Sequence, residues 1–216
     1  MALTKFNFNS FDLTTVASTG LAFNSSANGF DTAAAGSMTL ISTSTVSSGV
    51  SAVSITSGIS STYDTYLFKF INIHNSAQAS FTFQTSTDSG SNYNTTITST
   101  AFNTFHREDG SATTLSYQSG DDQAQGTSFQ FLYGSSGTQN DNGNSGEIFL
   151  FSPSNTTFVK NFFTNFNFMS YHSPAYTQNY RCAGYFNTTS AIDAIQFKMS
   201  SGNIDSGVIK MYGITK

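Results

Sequence analysis

Ile192-Asp-Ala-Ile-Gln-Phe-Lys-Met199, Ser200-Ser-Gly-Asn-Ile-Asp-Ser-Gly207 and Val208-Ile-Lys-Met-Tyr-Gly-Ile214 form the stretch that decides the fold class. In its first arm Ile195, Phe197 and Met199 share one face, and Gln196 and Lys198 share the other. In its second arm Ile209 and Met211 oppose Val208, Lys210 and Tyr212. Alternation with period two marks a half-buried strand. The segment Ser200–Gly207 has turn composition, so the arms are expected to form a hairpin. A terminal strand needs a partner for its backbone groups, so this hairpin is expected to close a mostly antiparallel fold.

The same signals recur upstream. Met38–Thr45, Val50–Thr56, Tyr63–Ile73, Ala79–Ser86, Asn94–Phe105, Leu115–Tyr117, Thr127–Tyr133, Glu147–Phe151, Phe158–Met169 and Tyr180–Asn187 read as strands. Tyr63–Ile73 puts Tyr66, Phe68, Phe70 and Asn72 on one face and Leu67, Lys69, Ile71 and Ile73 on the other. Both faces are nearly apolar, which predicts a central strand covered on both sides. Helical spacing is almost absent, apart from a single turn expected near Ser190–Ala194. The fold expected is all-β, an antiparallel β-sandwich that is jelly-roll-like and carries an extended N-terminal arm.

Residues 1–36 are read as that arm and 37–216 as one sandwich domain. Phe6, Phe8, Phe11, Leu13, Phe23 and Phe30 are dispersed among small polar residues and are read as its anchors. Such an arm either docks on another molecule or wraps its own domain.

Composition narrows the function. Only 9% of the 216 residues are charged, net charge is −4, and aromatics reach 15% with 22 Phe and 10 Tyr. Disordered chains have the opposite balance. Eight Lys and Arg without a cluster argue against a nucleic-acid surface. No apolar run is long enough for a membrane-spanning helix. The N-terminus lacks an apolar signal core, and Cys182, the single cysteine, is read as a small buried side chain in a protein of a reducing cytoplasm. A hydroxyl- and amide-rich surface suits contact with neighbouring subunits, where charges are costly to desolvate.

Catalytic and metal patterns are weak. His74, His106 and His172 lack ligand spacing, so no metal or cofactor is expected. The segment His106-Arg-Glu-Asp-Gly110 reads as a solvated turn. The segment Asp141-Asn-Gly-Asn-Ser-Gly-Glu147 has the composition of a calcium loop without its spacing. Nucleophile elbow and phosphate-loop motifs do not occur. Glu108 and Glu147 are the whole glutamate complement, so a glycosidase pair is not expected and the chain is read as non-enzymatic. Tyr171, Tyr176 and Tyr180, placed in a loop with Pro174, are candidates for stacking on a sugar or for packing at an interface.

Ile59-Ser-Ser-Thr-Tyr-Asp-Thr-Tyr-Leu-Phe-Lys-Phe-Ile-Asn-Ile-His74 resembles a segment of tailed-phage virion proteins that leads into a central strand. Gly202-Asn-Ile-Asp-Ser-Gly-Val-Ile-Lys-Met-Tyr-Gly-Ile214 is similar to the C-terminus of the same proteins. Asp122-Gln-Ala-Gln-Gly-Thr127 and Gly184-Tyr-Phe-Asn-Thr-Thr-Ser-Ala-Ile-Asp193 resemble blocks in structural proteins of marine phages. The resemblance implies a virion component, a head decoration protein or a capsid or tail fibre subunit. Its expected partners are copies of itself, as a trimer, and other virion proteins, after synthesis in the host bacterial cytoplasm. The alternative is the receptor- or glycan-binding domain of a tail fibre or spike, meeting a host-surface glycan. Lys198, Lys210 and Tyr212 are further candidate contacts with a neighbouring subunit.

Overall fold

The structure, a computed structural model, describes Leu21–Phe23, Phe30–Thr32 and residues 37–214. Its strands are β1 (Leu21–Phe23), β2 (Phe30–Thr32), β3 (Met38–Val46), β4 (Val53–Ile55) and β5 (Thr65–Asn75). They continue as β6 (Ala79–Ser86), β7 (Ile97–Arg107), β8 (Thr113–Tyr117), β9 (Ala124–Gly126) and β10 (Gln130–Ser136). The last are β11 (Asn144–Phe151), β12 (Lys160–Met169), β13 (Tyr176–Phe186), β14 (Ala194–Met199) and β15 (Ile204–Ile214). No helix occurs among the described residues.

The protein is an all-β antiparallel sandwich. The large sheet runs β3-β15-β5-β11-β12-β13-β7-β8, with β9 also on β7, and the small sheet runs β10-β6-β14-β4. Alternation drives the packing. Tyr66, Phe68 and Phe70 of β5, Phe162, Phe166 and Phe168 of β12, and Ile209 and Met211 of β15 point inward. They meet Phe81 and Phe83 of β6 and Ile195 and Phe197 of β14. Phe70 is the hub, with ring centroids 5.5 Å from Phe81, 5.1 Å from Phe166 and 5.0 Å from Phe197. Full burial of each such side chain stabilises by about 1.5–3 kcal/mol, and aromatic pairs prefer such offset and edge-on contacts. Cys182 lies in this interior, and burial pushes its thiol up to about 12.

The C-terminal stretch is not a hairpin. β14 pairs with β6 and β4, whereas β15 pairs with β3 and β5, so Ser200–Asn203 carries the chain from one sheet to the other. Gly202, at φ 70°, makes the turn. Alternation fixes which face is buried but not which strand lies alongside. Here the two apolar faces look at one another across the core.

β5 is central, yet only one of its faces is in the core. Asn72, at φ 51°, sits at a bulge where the pairing with both β11 and β15 shifts. The extra residue turns Ile73 and Asn75 inward in place of Asn72. On the other face Leu67 is 5% exposed but Ile71 is 42% exposed. β13 begins at Tyr176, so Tyr176 and Tyr180 belong to a strand and not to the loop around Pro174. β9 is too short to announce itself by alternation. Residues 187–193 hold no helical turn.

Of the arm anchors, Phe6, Phe8, Phe11 and Leu13 lie outside the described residues. Phe23 of β1 and Phe30 of β2 are directly opposite in a two-stranded pair.

Candidate functional site: an aromatic cleft and an open sheet face

The two sheets differ in width, and the mismatch creates a cleft. β10 is the last strand of the small sheet, facing β12 and β13, and among the described residues no strand lies over the inner face of β7 and β8 beyond it. That face is accordingly polar, with Asn103 of β7 and Ser116 of β8 pointing inward. Residues 118–129 fold over part of it, held by Gln118 N–H to Ala101 O (2.9 Å) and by the Gln130 side chain to Asp121 O (2.8 Å). The segment 170–175 closes the other side through the Ser170 hydroxyl, which accepts from the backbone N–H of His172 and of Tyr176.

Between these segments lies a cleft of about 360 Å³. Its lining includes Tyr171, His172, Tyr176 and Tyr180 together with Asn103, Gln118, Asp121 and Gln178. The three tyrosines singled out from sequence therefore converge on one space. The aromatic wall is a ladder. Phe105 and Tyr176 are 4.8 Å apart, Tyr176 and His172 5.0 Å, and His172 and Tyr171 4.1 Å. Tyr171, 39% exposed, ends it.

The polar wall is locked by its own hydrogen bonds. The Asn103 amide donates to Gln178 Oε1 (2.8 Å), and Asn103 Oδ1 accepts from the Ser116 hydroxyl (2.9 Å) and the Gln118 amide (3.0 Å). Tyr180 Oη donates to Asp121 Oδ2 at 3.0 Å. Burial raises the Asp121 carboxyl above its ordinary range, against the lowering effect of that bond. Burial and the adjoining Asp121 carboxylate raise Tyr180, so the phenol stays protonated and remains the donor. Among the described residues Asp121 is the one carboxylate in the lining, and neither Lys nor Arg lines it. Arg107 stands outside the lining, opposite Tyr176 in the β7–β13 register.

A second feature covers the outer face of the large sheet. Cross-strand pairing aligns Leu40, Tyr212, Leu67, Phe149, Phe163 and Ala183 in a single row over six strands. Six strands at ~4.8 Å spacing make that row ~24 Å long. Leu40 and Phe163 are 51% and 41% exposed. Met38, Ile214 and Phe151 flank the row on one side. On the other side runs a charged row of Arg181, Asn165, Glu147, Lys69 and Lys210. Lys69 Nζ lies 2.6 Å from Glu147 Oε2, an exposed pair that contributes at most ~1 kcal/mol.

The remaining sequence candidates separate. Lys210 and Tyr212 are on this outer face, whereas Lys198 is on β14 of the small sheet, its ammonium 3.8 Å above the Phe129 ring. Glu147 is on the outer face, Asp121 and Asp122 are in the segment over β7, and Glu108 and Asp109 are in the β7–β8 turn. Among the described residues no three His, Cys, Asp or Glu side chains gather as a metal site. The outer row escaped sequence reading because it exists only once strand order and register are known. No protein-family model, no curated protein and no solved structure matches the chain.

Proposed function

We propose that this protein is a non-enzymatic structural component of a bacteriophage virion, a head decoration protein or a capsid or tail fibre subunit. It works by packing the outer face of its large sheet against a second copy and by docking on the particle through residues 1–36. The observation that carries the self-assembly is the row from Leu40 to Ala183. A contiguous apolar band of this length on a monomer's surface marks an interaction site. A second copy is the occupant that the apolar row favours, because the same row on another chain offers it a matching surface to bury. The flanking row holds Arg181, Lys69 and Lys210 against one carboxylate, Glu147, already paired with Lys69, so it is net positive and belongs at the solvated rim of such a contact. The virion assignment rests on the phage-like sequence blocks, and the charge-poor, amide-rich surface agrees with it. Mass spectrometry of purified particles tests it. The chain is expected among the particle proteins and a chain lacking residues 1–36 is expected to be absent from them. Particles without the full chain contradict the proposal.

A further inference from the structure

We infer that the cleft between the Tyr171–His172–Tyr176 ladder and the Asn103–Gln178–Asp121 wall is a binding site for an uncharged hexopyranose unit of a glycan. This site lies on the inner side of the β7–β13 pair, away from the outer row, and it stands or falls independently of the self-assembly just proposed. A pyranose has two kinds of surface, an apolar C–H face and a rim of hydroxyls that both donate and accept. The cleft offers a complement to each. Tyr171 presents an exposed ring, fixed by its 4.1 Å stack on His172, which is fixed in turn on Tyr176. An aromatic face held in this way meets the C–H face of a sugar with little ordering cost.

The opposite wall supplies planar hydrogen-bonding groups already oriented. The Gln178 side chain is held through its Oε1 by Asn103, which leaves its amide N–H groups to donate. Asp121 uses Oδ2 on Tyr180, which leaves Oδ1 to accept. Sugar hydroxyls bridge donor and acceptor pairs of this kind, and each group is immobilised before the ligand arrives. The volume of about 360 Å³ falls within the ~300–1,000 Å³ of small-ligand pockets and suits one sugar unit, not an extended chain.

Charge narrows the class. The carboxyl group of Asp121 is half-buried in the wall, and among the described residues no Lys or Arg lines the cleft to offset a second negative charge, His172 standing on the opposite, aromatic wall. A sialic or uronic acid would bring its carboxylate toward Asp121, so a neutral sugar is preferred.

The test is saturation-transfer NMR and titration calorimetry on the full chain, with a panel of neutral hexoses, N-acetylhexosamines, sialic acid and glucuronic acid. Binding of at least one neutral sugar is expected. Tyr171→Ala removes the exposed ring and is expected to weaken binding about tenfold, or ~1.4 kcal/mol. Asp121→Asn keeps the shape and tests the acceptor; a similar loss is expected, with circular dichroism unchanged. Leu115→Ala, an exposed side chain on β8 that points to the other face of the sheet, is the control and is expected to bind as the parent does. No binding across the panel, binding of acidic sugars alone, or neutral-sugar binding unaltered by both Tyr171→Ala and Asp121→Asn overturns the inference.

Discussion

Phe163 stacks on Phe149 across the β11–β12 ladder, centroids 4.7 Å apart and planes at 23°, on the face of the large sheet turned away from the core. Phe151 joins them at 5.7 Å from Phe163. These rings bury nothing in the interior. Their retention on an open face is what the proposed self-assembly explains, because a monomer gains only a cross-strand contribution of roughly 0.2–1 kcal/mol from each such pair.

The polar centre of the sandwich is expected to be sensitive to the loss of one oxygen. Tyr133 Oη donates to Asn75 Oδ1 at 2.8 Å and accepts from the Asn144 amide at 3.1 Å, all three side chains being fully buried. Tyr133→Phe leaves both amides short of a partner and is expected to cost about 1–3 kcal/mol. Urea unfolding of the two proteins measures it. A cost near zero contradicts the role given to this network.

Lys160 is expected to give the protein a stability that rises with pH. Its side chain is buried opposite Phe186, its ammonium donates to Thr188 O at 3.0 Å, and burial lowers its pKa. The unfolded chain therefore holds its proton more tightly than the native one. Between the lowered native value and the unfolded value of about 10.4, unfolding takes up a proton, so stability increases as pH rises through that window. Lys160→Met is expected to gain about 1 kcal/mol near neutrality and to lose this part of the pH slope. Unfolding curves for both proteins at about pH 7 and about pH 10.4, the top of that window, give the difference in slope. Equal slopes contradict the assignment.

Much of the sandwich could be read from sequence because alternation reports burial directly. Ile195, Phe197, Ile209 and Met211 face inward as their spacing says. Strand pairing was not legible, since the same alternation serves a hairpin or two strands facing across a core. Hence β14 and β15 were expected side by side and lie in different sheets. The bulge at Asn72 was hidden for a related reason: one left-handed residue reverses every later face of β5 without altering the composition. At the cleft, Tyr171, Tyr176 and Tyr180 stood out as aromatics near a proline. Most of their polar counterpart did not, because Asn103 and Gln118 lie far from the tyrosines in sequence and are ordinary in type.

The outer face decides the central claim, and sedimentation velocity tests it most directly, run on the full chain, Leu40→Asp and Phe163→Asp. Both substitutions fall on exposed positions; Leu40→Asp is expected to leave fold stability within about 0.5 kcal/mol, and Phe163→Asp to lose in addition its pairs with Phe149 and Phe151, roughly 0.2–1 kcal/mol each. The parent is expected to sediment as a self-associated species built from 23.2 kDa subunits, and each variant as a single subunit. A parent that stays monomeric at the highest concentration reached, or variants that associate as the parent does, would contradict assembly through this face.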